Sequence, residues 1–359
     1  MHALAFRLIF FLALTVFCLG SNEWDNVYVN DVPGKVNIIV ETANTPRYGL
    51  KPAEAAAFHA NLRRLRDLLM AQPMINSPLG VDILGWIRAN GGGQVVKTAP
   101  VRGDGYCNYY PYVLDSKTKQ PGRMIASVWT FNIYINDPAG AFEMDGKLFY
   151  EPKPAGQING FPMYRTSQSR EIIVLSSTGK PLWFPLTREE YIQHCIQGIE
   201  KELADEETAR KRSRPSPAEL AILSPKDRAE IEKVLNDSRA LDLIKERLKR
   251  HQEALTRMSP QERTAQAQNG DPGDGDYLGP QLAPLGKAGI GPAYVKVNPD
   301  WLDPSRPRSD LQLIIVGFSY GNMDADHPKI GEDGCAANLR LWETLHKADW
   351  KAISGALAK

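Results

Sequence analysis

A six-residue apolar run, Leu311-Gln312-Leu313-Ile314-Ile315-Val316, is separated from the nearest earlier strand-like segment by the whole of residues 177–310. A short apolar run bounded by turn residues reads as a buried strand, and a lone strand leaves its own N–H and C=O groups unpaired. It must therefore join strands from much earlier in the chain. Whatever lies between them is then an excursion from a single core.

The earlier stretch has the texture that such a sheet needs. Val36–Val40 reads as a strand. From Pro52 and Glu54 to about Met70, Phe58, Leu62, Leu65, Leu68 and Leu69 recur at steps of three and four, the apolar stripe of an amphipathic helix. Strands are then expected at Val81–Arg88, Gln94–Thr98, Tyr106–Leu114, Met124–Asn136, Lys147–Tyr150 and Glu171–Ser176, separated by Gly- and Pro-containing punctuation such as Gln120-Pro121-Gly122 and Asp145-Gly146. One helix followed by consecutive hairpins predicts an antiparallel sheet and not a βαβ series.

Between 187 and 268, 32 of 82 residues are Lys, Arg, Asp or Glu, against 53 of the other 277, which marks a solvent-rich helical element. Four helix starts carry a hydroxyl with a carboxylate three residues on: Thr187…Glu190, Ser216…Glu219, Ser224…Asp227 and Ser259…Glu262. Leu241, Ile244, Leu248, His251, Leu255 and Met258 form the seam of a helix packed on a helix, with His251 as a packed member of it. The last helix is expected from about Ala336 to Leu357. The fold class is thus α+β: an N-terminal helix packed on an antiparallel, roll-like sheet, a charged helical insertion, and a C-terminal strand and helix returning to the core. The boundaries are 1–20 for a leader, 21–186 for the sheet domain, 187–268 for the insertion, and 269–359 for the Gly/Pro-rich loop, strand and helix that complete the core.

The leader is a signal peptide by pattern: Arg7, an apolar run Leu8–Leu19, then Gly20-Ser21 with small residues before the cleavage point. The run is too short to span a bilayer, and Phe17 disfavours lipid attachment at Cys18. Export to the periplasm or the extracellular space is expected, with no membrane span in the mature chain. A net charge of +1, from 43 basic and 42 acidic residues, removes bulk attraction to nucleic acid. Of the three cysteines beyond the leader, Cys195 sits on an apolar helical stripe, which leaves Cys107 and Cys335 as the expected disulfide.

Two constellations bear on chemistry. Gly317-Phe318-Ser319-Tyr320-Gly321 follows the apolar strand and resembles the nucleophile elbow of α/β-hydrolases. That resemblance implies a nucleophilic Ser319, with His327 or His346 as base and Asp324 or Asp326 as its orienter. Too little chain follows for the strands that deliver those partners. The second is an aromatic concentration, Tyr106, Tyr109, Tyr110, Tyr112 and Trp129, which on an open sheet face stacks a sugar or grips a peptide and on the inner face is core. Acidic clusters at 271–276 and 324–333 lack the spacing of an EF-hand loop. No metal or cofactor is expected. The leading expectation is a non-catalytic binding or interaction protein with a protein, peptide or carbohydrate ligand; the alternative is a secreted serine hydrolase using Ser319.

Overall fold

The computed structural model describes residues 27–90, 99–115, 117–127, 129–142, 148–166, 170–216, 222–235, 237–270, 277–286, 291–319 and 335–358. The expected leader, Gln94–Thr98, Ser216…Glu219 beyond Ser216, and both acidic clusters lie outside them.

The fold is mixed α and β around one large, mostly antiparallel sheet. Its strands are β1 (Val36–Glu41), β2 (Val81–Ala89), β3 (Gly103–Leu114), β4 (Pro121–Arg123), β5 (Trp129–Ile135), β7 (Lys153–Ile158), β8 (Phe161–Arg165), β9 (Glu171–Ser176) and β12 (Leu313–Ser319). The order across the sheet is β1-β2-β3-β5-β12-β9-β8-β7, with β4 on the far end of β3. The apolar run at 311–316 thus joins the centre of the sheet, between β5 and β9 and antiparallel to both. The remaining strands, β6 (Leu148–Tyr150), β10 (Trp183–Pro185) and β11 (Tyr294–Val297), form a second sheet in the order β10-β11-β6.

One pair departs from the expected all-antiparallel arrangement. β1 runs parallel to β2, and helix α1 (Pro52–Met70) makes the crossover between them. Hydrophobic period fixes which residues face the core but carries no information on strand direction. The β4–β5 region also differs. In place of one strand over Met124–Asn136, the chain bends at Ile125, and Ser127 Oγ donates to the carbonyls of Tyr109 and Trp129 before β5 begins.

The two faces of the large sheet are unlike. On one, Ile83, Ile87, Cys107, Tyr109, Phe131, Ile133, Ile314, Val316 and Phe318 join a single buried cluster with Phe58, Leu62, Leu65 and Leu69 of α1. The same cluster takes Leu341 and Leu345 from the C-terminal helix α5 (Ala336–Lys347), and Trp350 and Ile353 beyond it. Each such side chain contributes roughly 1.5–3 kcal/mol on burial. Helix α5 is shorter than expected because Asp349 caps a new turn, Trp350–Ile353, through Ala352 N–H. Cys107 and Cys335, expected as a disulfide, are two fully buried thiols with no S–S bond between them. Both occupy the packed cluster as small apolar groups, and burial pushes the Cys107 thiol pKa up.

On the opposite face the described residues cover only the β12–β9 half. Leu313, Ile315, Ile172 and Val174 pack against Phe149, Leu182, Val295 and Trp301. The charged helical region comprises α2 (Arg188–Ser213), α3 (Pro225–Leu235) and α4 (Arg239–Arg257); α2 and α4 meet the second sheet where Ile192, Leu255 and Met258 pack beside Tyr294. Thr187 and Ser259 form the expected capping boxes with Glu190 and Glu262, and Ser224 accepts from Asp227 N–H. His251 is buried in α4, where Nδ1 lies 2.8 Å from the Arg247 carbonyl. No helix among the described residues is long and apolar enough to cross a membrane.

Candidate binding face

Strand pleating puts successive side chains on opposite faces, so the register of β1, β2, β3, β5 and β12 defines rows across the uncovered half. One row is Asn37, Leu84, Asn108, Thr130, Ser319. The next is Ile39, Trp86, Tyr106, Asn132, Gly317, and the third Glu41, Arg88, Asp104, Tyr134. From Leu84 to Thr130, Trp86 to Asn132 and Arg88 to Tyr134 the residues are half-buried. At the sheet edge Ile39 is 45% exposed.

The outer rows are fastened to themselves. In the third, Arg88 sits between Glu41 (3.3 Å) and Asp104 (3.6 Å), and its guanidinium lies over the Trp86 ring at 3.7 Å from the centroid. Burial raises the Asp104 pKa in spite of Arg88. In the first row, Thr130 Oγ1 donates to Asn108 Oδ1 at 2.5 Å, and the Asn108 amide donates to Tyr110 Oη. Beyond it, Arg123 lies over Tyr110 and pairs with buried Asp82, which accepts from Tyr112 Oη at 2.9 Å. Burial and the bond to Asp82 raise the Tyr112 pKa.

The middle row is different. Trp86 and Tyr106 meet edge to face with centroids 4.6 Å apart, yet Trp86 Nε1, Tyr106 Oη and the Asn132 amide make no hydrogen bond among the described residues. A stripe of unspent donors and acceptors thus runs between two rows that hold the Thr130–Asn108 hydrogen bond and the Arg88 ion pairs, although Ser319 Oγ, Arg88 Nε and Asp104 Oδ1 in those rows are buried without a hydrogen bond.

The candidate residues named from sequence fall on both sides of the sheet. Tyr110 and Tyr112 belong to the open face. Tyr109 and Trp129 point into the packed cluster: Tyr109 is fully buried, with Oη 2.7 Å from Thr344 Oγ1 of α5, and Trp129 is 6% exposed. Neither is available to a ligand on the open face. Ser319 is the last residue of β12, in the ladder opposite Thr130, and its Oγ is buried without a hydrogen-bond partner. Gly317 and Phe318, which an elbow places in a tight turn, are here strand residues between two antiparallel neighbours. His346 is on α5, against the packed face, where its ring stacks on Trp342 at 4.1 Å. The sheet therefore separates His346 from Ser319. Asp324, Asp326 and His327 lie outside the described residues.

Trp86, Arg88, Asn108, Thr130 and Asn132 are not singled out by sequence reasoning. Alternation along Trp129–Ile135 holds the signal for the last two, once the face of Phe131 and Ile133 is known. Among the described residues no cluster of three or more His, Cys, Asp or Glu can hold a metal ion. A groove of about 470 Å³ beside α2 and α4 is lined by Glu202, Asp205, Glu206 and Ile244, but Glu202 and Glu206 are taken by Arg247 and Arg210.

No protein-family model, curated protein or solved structure matches the chain.

Proposed function

We propose that this is an exported, non-catalytic binding protein and that the open half of the large sheet is its ligand surface. The observation that carries the reading is the middle row: three neighbouring strands present Trp86, Tyr106 and Asn132 half-buried, with their polar atoms unspent, between rows locked by Arg88 and by Thr130–Asn108. Aromatic surface with a few convergent polar groups is the usual make-up of a ligand site. Fixing Trp86 beneath Arg88 lowers the ordering cost of binding. On this reading the roll-like α+β core, with α1 and α5 on the packed face, is scaffold, and the charged helical region braces the second sheet. Apolar Leu8–Leu19 before Gly20-Ser21 supports secretion to the periplasm or beyond, and N-terminal sequencing of exported protein is expected to begin at Ser21.

Ligand-observed NMR against a mixed panel of saccharides, short peptides and nucleosides tests the surface. Hits are expected with the wild-type protein and are lost in both Trp86→Ala and Asn132→Ala, while Lys201→Ala in the helical region keeps them. Hits that persist undiminished in both face variants refute the assignment. A fluorophosphonate probe is expected to leave Ser319 unlabelled; labelling that disappears in Ser319→Ala establishes the hydrolase instead.

A further inference from the structure

We propose that the ligand of this face is a neutral oligosaccharide lying across the strands along the Trp86–Tyr106–Asn132 row. The inference rests on the binding reading above and names its ligand class.

Charge comes first. On the open face Arg88 and Arg123 pair with Glu41, Asp104 and Asp82, and with Lys35 at the sheet edge three cations stand against three carboxylates, so the face is neutral overall. A nucleic acid, a uronic acid chain or a phosphorylated ligand is held by clustered positive charge, and among the described residues this face has one unpaired cation, Lys35 at the sheet edge beside Asp82, outside the middle row. A cationic ligand would have to break the same ion pairs to reach a carboxylate. What stays unspent along the middle row is neutral: an indole N–H, a phenol and a carboxamide.

Those three groups suit hydroxyls in particular. A sugar hydroxyl donates and accepts at once, and a carboxamide or phenol does the same, whereas an ion serves only one role. The Asn132 amide offers two N–H donors and a carbonyl at the centre of the row. Beside it stands Gly317, buried against the side chains of Ile172 and Tyr134, where the covered half of the sheet begins and the row ends. The apolar C–H face of a pyranose is the complement of aromatic edges and faces, here Trp86 and Tyr106, with Ile39 beyond them at the sheet edge.

Geometry separates a sugar from a peptide. An extended peptide binds a sheet by adding to its edge, where main-chain bonds supply affinity. Over the middle of a sheet every strand N–H and C=O is already in a ladder, so a peptide laid there leaves its own backbone groups unpaired. A chain of sugar rings has no such backbone to satisfy. Neighbouring strands lie about 4.8 Å apart, comparable with the length of one ring, so successive rings meet Trp86, Tyr106 and Asn132 in turn.

The test is titration calorimetry of the full exported protein with cellohexaose and mannohexaose as neutral probes, a galacturonate hexamer as the acidic probe and an acetylated hexapeptide. At least one neutral hexasaccharide is expected to bind, with affinity insensitive to salt, and Trp86→Ala is expected to weaken it by about tenfold or more. Asn132→Ala, which removes no aromatic packing, is expected to weaken it as well and guards against a folding defect in the Trp86 variant, with far-UV circular dichroism as the check on both. Acidic-probe or peptide binding that is lost in both variants overturns the ligand class and keeps the face. Neutral binding that survives both variants overturns the face itself. Absence of binding by both neutral probes at millimolar concentration overturns the inference.

Discussion

Replacing Asn136 is expected to damage this fold more than any other single polar substitution on the large sheet. Asn136 follows β5, is fully buried, and has a left-handed φ of 51°. Its amide donates to the carbonyls of Val101 (3.0 Å) and Asp310 (2.8 Å), and its Oδ1 accepts from the N–H groups of Gln312 (2.9 Å) and Leu313 (3.1 Å). One side chain thus satisfies four buried backbone groups where β5, β12 and the approach to β3 converge. At a net of about 0.5–1.5 kcal/mol per bond the loss in Asn136→Ala is roughly 2–6 kcal/mol, and the left-handed conformation adds about 1 kcal/mol for Ala. Against a typical total of about 5–15 kcal/mol, the variant sits at or near the edge of unfolding. Asn136→Asp keeps the shape and the acceptor but turns a carboxylate toward two carbonyls. Its folded-state pKa must then lie above the unfolded value, so its penalty is absent below the unfolded pKa and grows as pH rises toward the folded one. Urea unfolding followed by circular dichroism measures both. A cost below about 1 kcal/mol for Asn136→Ala, or an Asn136→Asp variant that gains stability with rising pH, refutes the reasoning.

Other expectations concern the packed and open faces. Tyr109 Oη and Thr344 Oγ1 join β3 to α5, and Thr344 also donates to the Arg340 carbonyl, so the phenol is the donor in the pair. Tyr109→Phe is expected to cost about 1 kcal/mol, Thr344→Val more because it strands a buried donor, and the double variant less than the sum; additive costs in a urea double-mutant cycle rule the contact out. Cys107 and Cys335 are expected to resist thiol reagents in the native protein, and Cys107, Cys195 and Cys335 all to react after denaturation without reductant, whereas a disulfide leaves one of the three. Asp104 has a raised pKa because burial outweighs Arg88. A carboxyl whose folded pKa is raised opposes folding once pH exceeds its unfolded pKa, so Asp104→Asn is expected to be neutral or stabilising at pH 7 relative to wild type, with the advantage fading as pH falls below about 4; thermal melts across that range check the sign.

Local chemistry makes parts of the fold legible. The spacing Phe58, Leu62, Leu65, Leu69 behind Pro52 and Glu54 gives helix α1 its limits and its buried stripe. Capping at Thr187 and Ser259 is readable because a hydroxyl and a carboxylate three apart satisfy backbone N–H groups together at a helix start. Other parts depend on partners distant in sequence. The parallel β1–β2 pair is invisible to periodicity, and the break at Asp349 is fixed from afar by Gln72 and Asn159, which accept from the N–H groups of Asp349 and Trp350. The β7–β8 hairpin escapes the pattern of apolar runs although a signal for it is present: Asn159-Gly160 both take positive φ, the arrangement a two-residue hairpin turn demands. Pro154 and Gly156 mask it, since both depress strand propensity and are tolerated here only by an edge strand with a bulge.

The site is hidden for a related reason. β3 carries large side chains on both faces, Tyr109 on one and Tyr106, Tyr110 and Tyr112 on the other, so aromatic density alone cannot say which set is core. The decision comes from long-range packing: Phe318, Leu341 and Leu345 close over Tyr109, and nothing described closes over Tyr106. The covering sheet shows the same logic in the other direction. Where the face is Leu313, Ile315, Ile172 and Val174, burial is favourable at about 25 cal/mol per Å², and β10, β11 and β6 supply the cover. Where it turns to Asn108, Thr130 and Asn132 that drive vanishes, because covering amides and hydroxyls without partners costs more than it returns. A face of Asn and Thr alone would be ordinary solvated surface. Trp86 and Tyr106 placed within it, with Trp86 held under an arginine that two carboxylates fix in place, keep apolar area in water in a rigid arrangement that the core does not require. The Trp86–Tyr106 pair and the Arg88 contact each stabilise the sheet by roughly 0.2–1 kcal/mol, and on the proposed reading the same rigidity lowers the ordering cost of a ligand.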